Sequence, residues 1–376
     1  MHPPPLGAIK ARLLPARLRP PSLLRTSSFS LVRGRVSPRP LQPFQRALHV
    51  TSATSQAVMS AMPVAVTSQA MPECWGHRGA SARFPENTLA SFEAAIRDGA
   101  EGIESDVHVS VDDVVIMFHD PSVDRVTDGS GLIRERLWNG EGGMHELRTV
   151  KEPKQSLATF EETVQLLMRP ENRHVKFNVD VKVQNKPAHL FALMHEVISA
   201  QPDWETVLAP RILLGLWHPT FLPHAKKHLP YCRRSYIGVD IAVARKYFWD
   251  ACDVFSIKFS TLAMADGAKF RKDCKAAGKK VMAWTVNNPE HMVEAVRWGI
   301  DVIITDVTKT WLDLRGALQV DYDKIAAQHS RMFYWTTLEF YTPMQIYQRR
   351  KDHSYLEGYA GPFHKMDTVE PLPLVA

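Results

Sequence analysis

The chain has 376 residues, 45% of them hydrophobic and 23% charged, a composition that builds a sizeable core without disulfides or structural metal. Its formal net charge of +6 is concentrated at one end: residues 1–72 carry eight Arg and one Lys and no acid, leaving 37 Lys and Arg against 40 Asp and Glu from Glu73 onward. That mildly acidic remainder argues against a nucleic-acid-binding surface, and the chain lacks the run of about 18 uncharged apolar residues that a membrane-spanning helix needs.

The leader, residues 1–72, is rich in Arg, Ser, Pro, Leu and Ala, the composition of an organelle transit peptide. A mitochondrial address is expected, because the membrane potential draws such cations inward. Its prolines break a continuous amphipathic helix. The alternatives are a disordered basic tail or an extension upstream of the translated start, with Met59, Met62 and Met71 as internal starts. Without the leader the protein is expected in the cytoplasm or peripheral on intracellular membranes. Cys74, Cys232, Cys252 and Cys274 are widely spaced and form no CxxC pair. They read as four reduced thiols, rather than a secreted disulfide pair or a zinc site.

From Glu73 the pattern alternates. Strands are predicted at 73–77, 101–107, 175–182, 211–217, 235–239, 253–259, 279–286 and 301–306. Helices are predicted at 88–98, 159–168, 187–200, 220–229, 240–250, 265–277, 289–298 and 309–319. Eight β/α units point to an α/β protein, a (β/α)8 TIM barrel over 73–320; an open doubly wound sheet is the alternative. Residues 108–158 interrupt the rhythm with an apolar segment at 114–118 and a group of glycines. This reads as a small insertion rising from the C-terminal end of the second strand, the face where barrel active sites lie. The tail, 321–376, carries Met332-Phe333-Tyr334-Trp335, Phe340-Tyr341 and Arg349-Arg350-Lys351. Aromatics followed by cations suit peripheral contact with a membrane; the bland alternative is packing on the barrel's outer wall.

Four segments set polar residues at the ends of apolar strands: Gly76-His77-Arg78-Gly79, Glu104-Ser105-Asp106, His119-Asp120-Pro121 and Asn178-Val179-Asp180-Val181-Lys182. Glu104 and Asp106 are two apart on one strand, so both point to the same face. Asp180 is expected beside them from the next barrel strand. Three converging carboxylates without a softer ligand suit a hard divalent cation, Mg2+ or Ca2+; taken singly, each would serve as a helix cap or ion-pair partner. His77 and His119 stand beside charged partners at strand ends and are candidates for general acid and base near neutral pH. Arg78 and Lys182 supply fixed positive charge of the kind that stabilises a phosphorane-like transition state, unless they only pair with the neighbouring carboxylates.

In this order, His77-Arg78-Gly79, Pro85-Glu86-Asn87-Thr88, Glu104-x-Asp106, His119-Asp120, Asp180-x-Lys182 and Trp284-Thr285-Val286-Asn287 resemble the signature of the glycerophosphodiester phosphodiesterase family. The resemblance runs over about residues 74–315, the whole expected barrel. It implies one divalent cation on Glu104, Asp106 and Asp180, an acid/base pair in His77 and His119, and phosphate held by Arg78 and Lys182, with Trp284 bordering the glycerol. It further implies attack on phosphorus by the free glycerol hydroxyl through a cyclic phosphate. The family often carries Glu where this chain has Asp180. Within the family the chain is most similar to the fungal phosphatidylglycerol phospholipase C group, through Leu214-Gly215-Leu216-Trp217-His218-Pro219, His228-Leu229-Pro230-Tyr231-Cys232-Arg233-Arg234 and Ala244-Arg245-Lys246-Tyr247-Phe248-Trp249. That similarity implies cleavage of phosphatidylglycerol to diacylglycerol and glycerol 3-phosphate. The alternatives are an enzyme on soluble glycerophosphodiesters and, from another class, a non-catalytic lipid-binding barrel.

Overall fold

A computed structural model describes residues 70–368. Of the expected leader, residues 1–69 lie outside the described residues, as do 369–376 of the tail.

Eight parallel strands close on themselves. They are β1 (Glu73–His77), β2 (Gly102–Val109), β4 (Lys176–Val181), β5 (Ile212–Leu216), β6 (Arg233–Gly238), β7 (Val254–Lys258), β8 (Lys280–Trp284) and β9 (Val302–Thr305). Each pairs with the next, and β1 pairs with both β2 and β9, so the expected TIM barrel is closed rather than an open sheet. The helices are cut to length by local chemistry. Leu89–Asp98 begins at Thr88, whose side chain accepts from the Ser91 amide while Ser91 returns the bond, and ends on left-handed Gly99. Phe160–Met168 has the same box built from Thr159 and Glu162.

The strands are apolar on both faces because both are covered. Outside, they pack against helices through a core that includes Phe92, Phe160, Phe177, Phe191, Phe255 and Trp311. Inside, Trp75, Leu213, Val254, Met282, Val302 and Ile304 fill the barrel's lower half. Gly102 is required there: a Cβ would overlap the Trp75 indole. The polar residues stand above this plug, at the C-terminal ends of the strands.

Three elements differ from the sequence expectation. The apolar segment at 114–118 forms a ninth strand, β3 (Val115–Met117), antiparallel to the end of β2. It helps the insertion close a small core of its own around Ile116, Phe118, Val123, Ile133, Met144 and Leu157. The helix expected at 240–250 is a single α-turn, Ile241–Val243, capped by the Asp240 carboxylate, followed by π-helical Ala244–Phe248. The tail folds into Tyr322–Ala327, Phe333–Thr336 and a 19-residue helix, Thr342–Ala360. Phe333 and Phe340 pack on Phe259 and His291, and Phe363 packs on His218. Phe259 and His218 follow the C-terminal ends of β7 and β5, so the tail borders the barrel mouth. Among the described residues all four cysteines are buried and unpaired, and no helix is long and apolar enough to cross a membrane.

Candidate active site

Strand register assembles the site. In the ladder, His77 of β1 lies beside Glu104 of β2, and Glu104 beside Asn178 of β4. Two residues further along, Asp106 is paired with Asp180. Because side chains alternate across a strand, these residues all face the barrel axis. His77, Arg78, Glu104, Asp106, His119, Asp180, Lys182 and Trp284, every site residue expected from the sequence, line one cavity of about 90 Å³.

The loop after β1 is built around unusual backbone. Arg78 and Asn87 are left-handed, with φ of 56° and 58°, a conformation that costs a non-glycine residue energy and is common at functional sites. It turns the Arg78 amide onto Glu104, donating to the carbonyl at 2.8 Å and to Oε2 at 3.1 Å. The guanidinium reaches Glu86 at 3.0 Å and stands 3.4 Å from Asp106. The Asn87 amide donates to Asp106 Oδ2 at 2.8 Å and accepts from the Ser105 hydroxyl at 2.6 Å. Gly79 completes the turn; a Cβ there would overlap Ser91.

Glu104, Asp106 and Asp180 are almost fully buried, and each offers an oxygen within 4.8 Å of the others. At an effective dielectric of about 20, two like charges that close repel by roughly 3.5 kcal/mol. The Lys182 ammonium lies between two of them, 2.6 Å from Asp106 and 2.7 Å from Asp180, and the Trp217 indole N–H donates to Asp180 at 2.6 Å. Burial pushes the Glu104 carboxyl well above its usual range, and the Asp106 and Asp180 charges add to it. Burial acts the same way on Asp106, but Lys182 and then Arg78 overcome it and hold that carboxyl well below its usual range. For Asp180 burial prevails over Lys182 and the carboxyl is raised. Lys182 stays a cation: burial lowers its pKa, but Asp106 and Asp180 together raise it further. The local cations therefore satisfy one carboxylate and leave the others short of positive charge. Asn178, facing the same cavity, has both side-chain polar atoms buried and unpartnered. An all-oxygen donor set short of positive charge fits a divalent cation.

The two imidazoles are held from behind. His77 Nδ1 is 2.7 Å from Asp306, which also accepts from Ser81 and Asn287. Burial would raise the Asp306 carboxyl, but His77 and these bonds bring it down to about 2. His119, carried by the insertion, has its Nδ1 2.8 Å from Asp120, which is itself paired with Arg125. Burial lowers the His119 pKa; the Asp106 charge opposes it, and Lys182 and Arg78 reinforce it. Trp284 borders the cavity, its N–H donating to the Ser256 carbonyl at 3.0 Å and its ring 5.8 Å from Trp217.

A barrel with mouth-facing acids, two carboxylate-backed imidazoles and buried cations has the parts of a phosphoric diester hydrolase. Residues 77–310 match the glycerophosphoryl diester phosphodiesterase family, and the chain belongs to it. A glycerophosphodiester phosphodiesterase from Caldanaerobacter subterraneus is 26% identical over 248 residues, covering 63% of this chain and 95% of that protein. Mouse glycerophosphodiester phosphodiesterase 1 is 36% identical over 237 residues, covering 56% of this chain and 70% of that protein. A phosphodiesterase from Oleispira antarctica, solved with the product sn-glycerol-3-phosphate, superposes with a TM-score of 0.56 at 25% identity, covering 65% of this chain and 96% of that one. The chain is thus a glycerophosphodiester phosphodiesterase on a TIM barrel, and a divalent cation belongs to its chemistry.

Asn178, Trp217 and Asp306 have places in the site that sequence reasoning did not assign. Asn178 shares the parity of Asp180 and Lys182, which was a usable signal. Trp217 and Asp306 each follow a strand end, but their partners lie 37 and 229 residues away, and nothing local announces the contact.

Proposed function

We propose that this chain hydrolyses glycerophosphodiesters to glycerol 3-phosphate and an alcohol, with His77 and His119 as the acid/base pair. One imidazole takes the proton of the free glycerol hydroxyl as its oxygen attacks phosphorus. The other gives a proton to the departing alcohol as its P–O bond breaks. Water then opens the cyclic phosphate with the two roles exchanged, so the balance is one diester and one water in, one phosphate monoester and one alcohol out. Glu104, Asp106 and Asp180 would hold the cation, Mg2+ or Ca2+, which when bound supplies Lewis-acid charge to the phosphate oxygens. Arg78 and Lys182 add fixed positive charge beside it, and Trp284 borders the glycerol. The single observation that carries the reading is the convergence of all these side chains on one cavity.

Soluble glycerophosphodiesters are the first substrate class, in keeping with the names of the relatives. A second reading, phosphatidylglycerol cleaved to diacylglycerol and glycerol 3-phosphate at a membrane surface, is favoured by the tail. Met332, Trp335, Leu338, Tyr341 and Tyr347 are exposed on the segment that borders the mouth, near Arg349, Arg350 and Lys351, a mixture suited to a lipid interface.

Purified protein treated with EDTA is expected to lose turnover of both glycerophosphocholine and phosphatidylglycerol and to recover it on adding Mg2+ or Ca2+, with glycerol 3-phosphate identified by mass. If no diester yields glycerol 3-phosphate under any metal condition, the proposal is wrong.

A further inference from the structure

The segment Pro85-Glu86-Asn87-Thr88 carries an acid that the proposed reaction does not use. Glu86 stands in the loop after β1 and is shared by two guanidiniums. Arg78 donates to its Oε1 at 3.0 Å. Arg125, 39 residues further on in the insertion, donates to both oxygens, at 2.7 Å and 3.0 Å. The remaining arm of Arg125, its Nε–H, donates to Asp120 Oδ2, and the other oxygen of Asp120 meets His119 Nδ1 at 2.8 Å. Alternating charges thus run from Asp106 through Arg78, Glu86, Arg125 and Asp120 to His119.

His119 needs such support more than His77 does. His77 ends a barrel strand and is backed by Asp306, just past the end of another. His119 follows β3 in the insertion, and Asp120 behind it is partly exposed, able to turn toward water unless its second oxygen is held. Burial would raise the Asp120 carboxyl, but Arg125 and then His119 bring it below its usual range. An ionised carboxylate only accepts, so the neutral imidazole carries its hydrogen on Nδ1 and leaves Nε2 to exchange a proton with substrate.

Docking the insertion does not require this bridge. The insertion has an apolar core of its own, and Lys151 separately ties it to the β1 loop, donating to the carbonyls of Ser81, Ala82 and Phe84. Nor does Arg125 serve the phosphate directly. It is not part of the cavity's lining, and its three donor nitrogens are all spent on Glu86 and Asp120. A planar fork that grips one carboxylate with two bonds and a second with its remaining N–H fixes both in direction.

We propose that Arg125 is a positioning residue for the reaction: anchored on Glu86, it fixes the Asp120 carboxylate behind His119 and so decides which imidazole nitrogen meets the substrate. The proposal rests on the phosphodiesterase reading above. Its test assays the full chain on glycerophosphocholine with Mg2+ or Ca2+ present. Arg125→Gln is expected to lower kcat about 10- to 100-fold, the scale on which the outer partner of a site imidazole acts, and to leave KM within about twofold. Asp120→Asn should lose at least as much, and the double variant should lose no more than Asp120→Asn alone, because Arg125 acts through that carboxylate. In the 15N spectrum the His119 ring should show the Nδ1–H tautomer in the unaltered protein and a mixture of both tautomers in Arg125→Gln. Lys151→Met, which removes the other tie to the β1 loop, should keep kcat within about threefold. An unchanged kcat or an unmoved tautomer in Arg125→Gln, losses that multiply in the double variant, or an equal loss in Lys151→Met would overturn the role. If Arg125→Gln does not fold, Arg125→Lys, which keeps the charge but not the fork, carries the same comparisons. No turnover by the unaltered protein would instead overturn the phosphodiesterase reading, and the positioning role with it.

Discussion

Glu104 is a residue the fold would be better off without. It is buried, its carboxyl is pushed up by burial and by two neighbouring acids, and the cation that opposes this most, Arg78, is already shared with Glu86 and Asp106. A group that raises the energy of the folded chain is kept for what it binds. Glu104→Gln keeps the shape and removes one charge of the triad. In EDTA its melting temperature is expected at or above that of the unaltered protein, while turnover with metal restored falls at least about 100-fold. Calorimetry beside the glycerol 3-phosphate assay checks both; a lower melting temperature with full turnover would assign Glu104 a structural role. At this scale the sequence was readable wherever parity on one strand decided the matter, as for Glu104 with Asp106 and Asp180 with Lys182. It was not readable where two distant segments meet, as for Trp217 on Asp180 or His77 on Asp306, because register between strands is a property of the closed sheet.

At the scale of elements, each barrel strand appears within two residues of its expected bounds, since apolar runs covered on both faces differ sharply from amphipathic helices. The helix Thr342–Ala360 was not legible. Only Leu356 is buried along its length, so it has no apolar stripe to betray it, and a few polar ties at the mouth hold it instead. One of these titrates. His353 faces Asp240, Glu357 and Arg349; its bond to Asp240 raises its pKa, burial and Arg349 oppose this, and Glu357 adds to it. A raised imidazole contributes stability that is complete below the unfolded value of about 6.5 and is lost as pH rises through the folded value. The helix should therefore open more readily at pH 8.5 than at pH 6. Hydrogen exchange of residues 342–360, corrected for intrinsic rate, checks this, and Asp240→Asn should flatten the difference. Equal protection at both pH values in the unaltered protein would remove His353 as a tie.

For the whole molecule, the question is whether the barrel is complete at the last β/α unit. A closed eight-stranded sheet leaves no edge, and its inner plug and outer helices all lie before residue 320. The count of strands and helices therefore places the barrel within 73–320. The packing joins the tail to it. Phe333, Phe340, Leu356 and Phe363 are each more than nine-tenths buried, and Phe259, at the end of β7, stacks on His291 and Trp298 beneath Phe333 and Phe340. Burying a large apolar side chain is worth about 1.5–3 kcal/mol, an upper estimate because the unfolded chain already hides some surface. Four of them sum to roughly 6–12 kcal/mol, which is as large as the net stability of an ordinary domain, about 5–15 kcal/mol. A chain ending at residue 320 would lose this and expose the Phe259 cluster beside the active-site mouth. It is expected to aggregate or to melt at least about 10 °C lower, whereas Trp335→Ser, at a side chain 74% exposed, should leave the melting temperature unchanged. A truncated chain that stays monomeric with an unaltered melting curve would show that the tail is an appendage, and that the barrel needs nothing beyond its eighth helix.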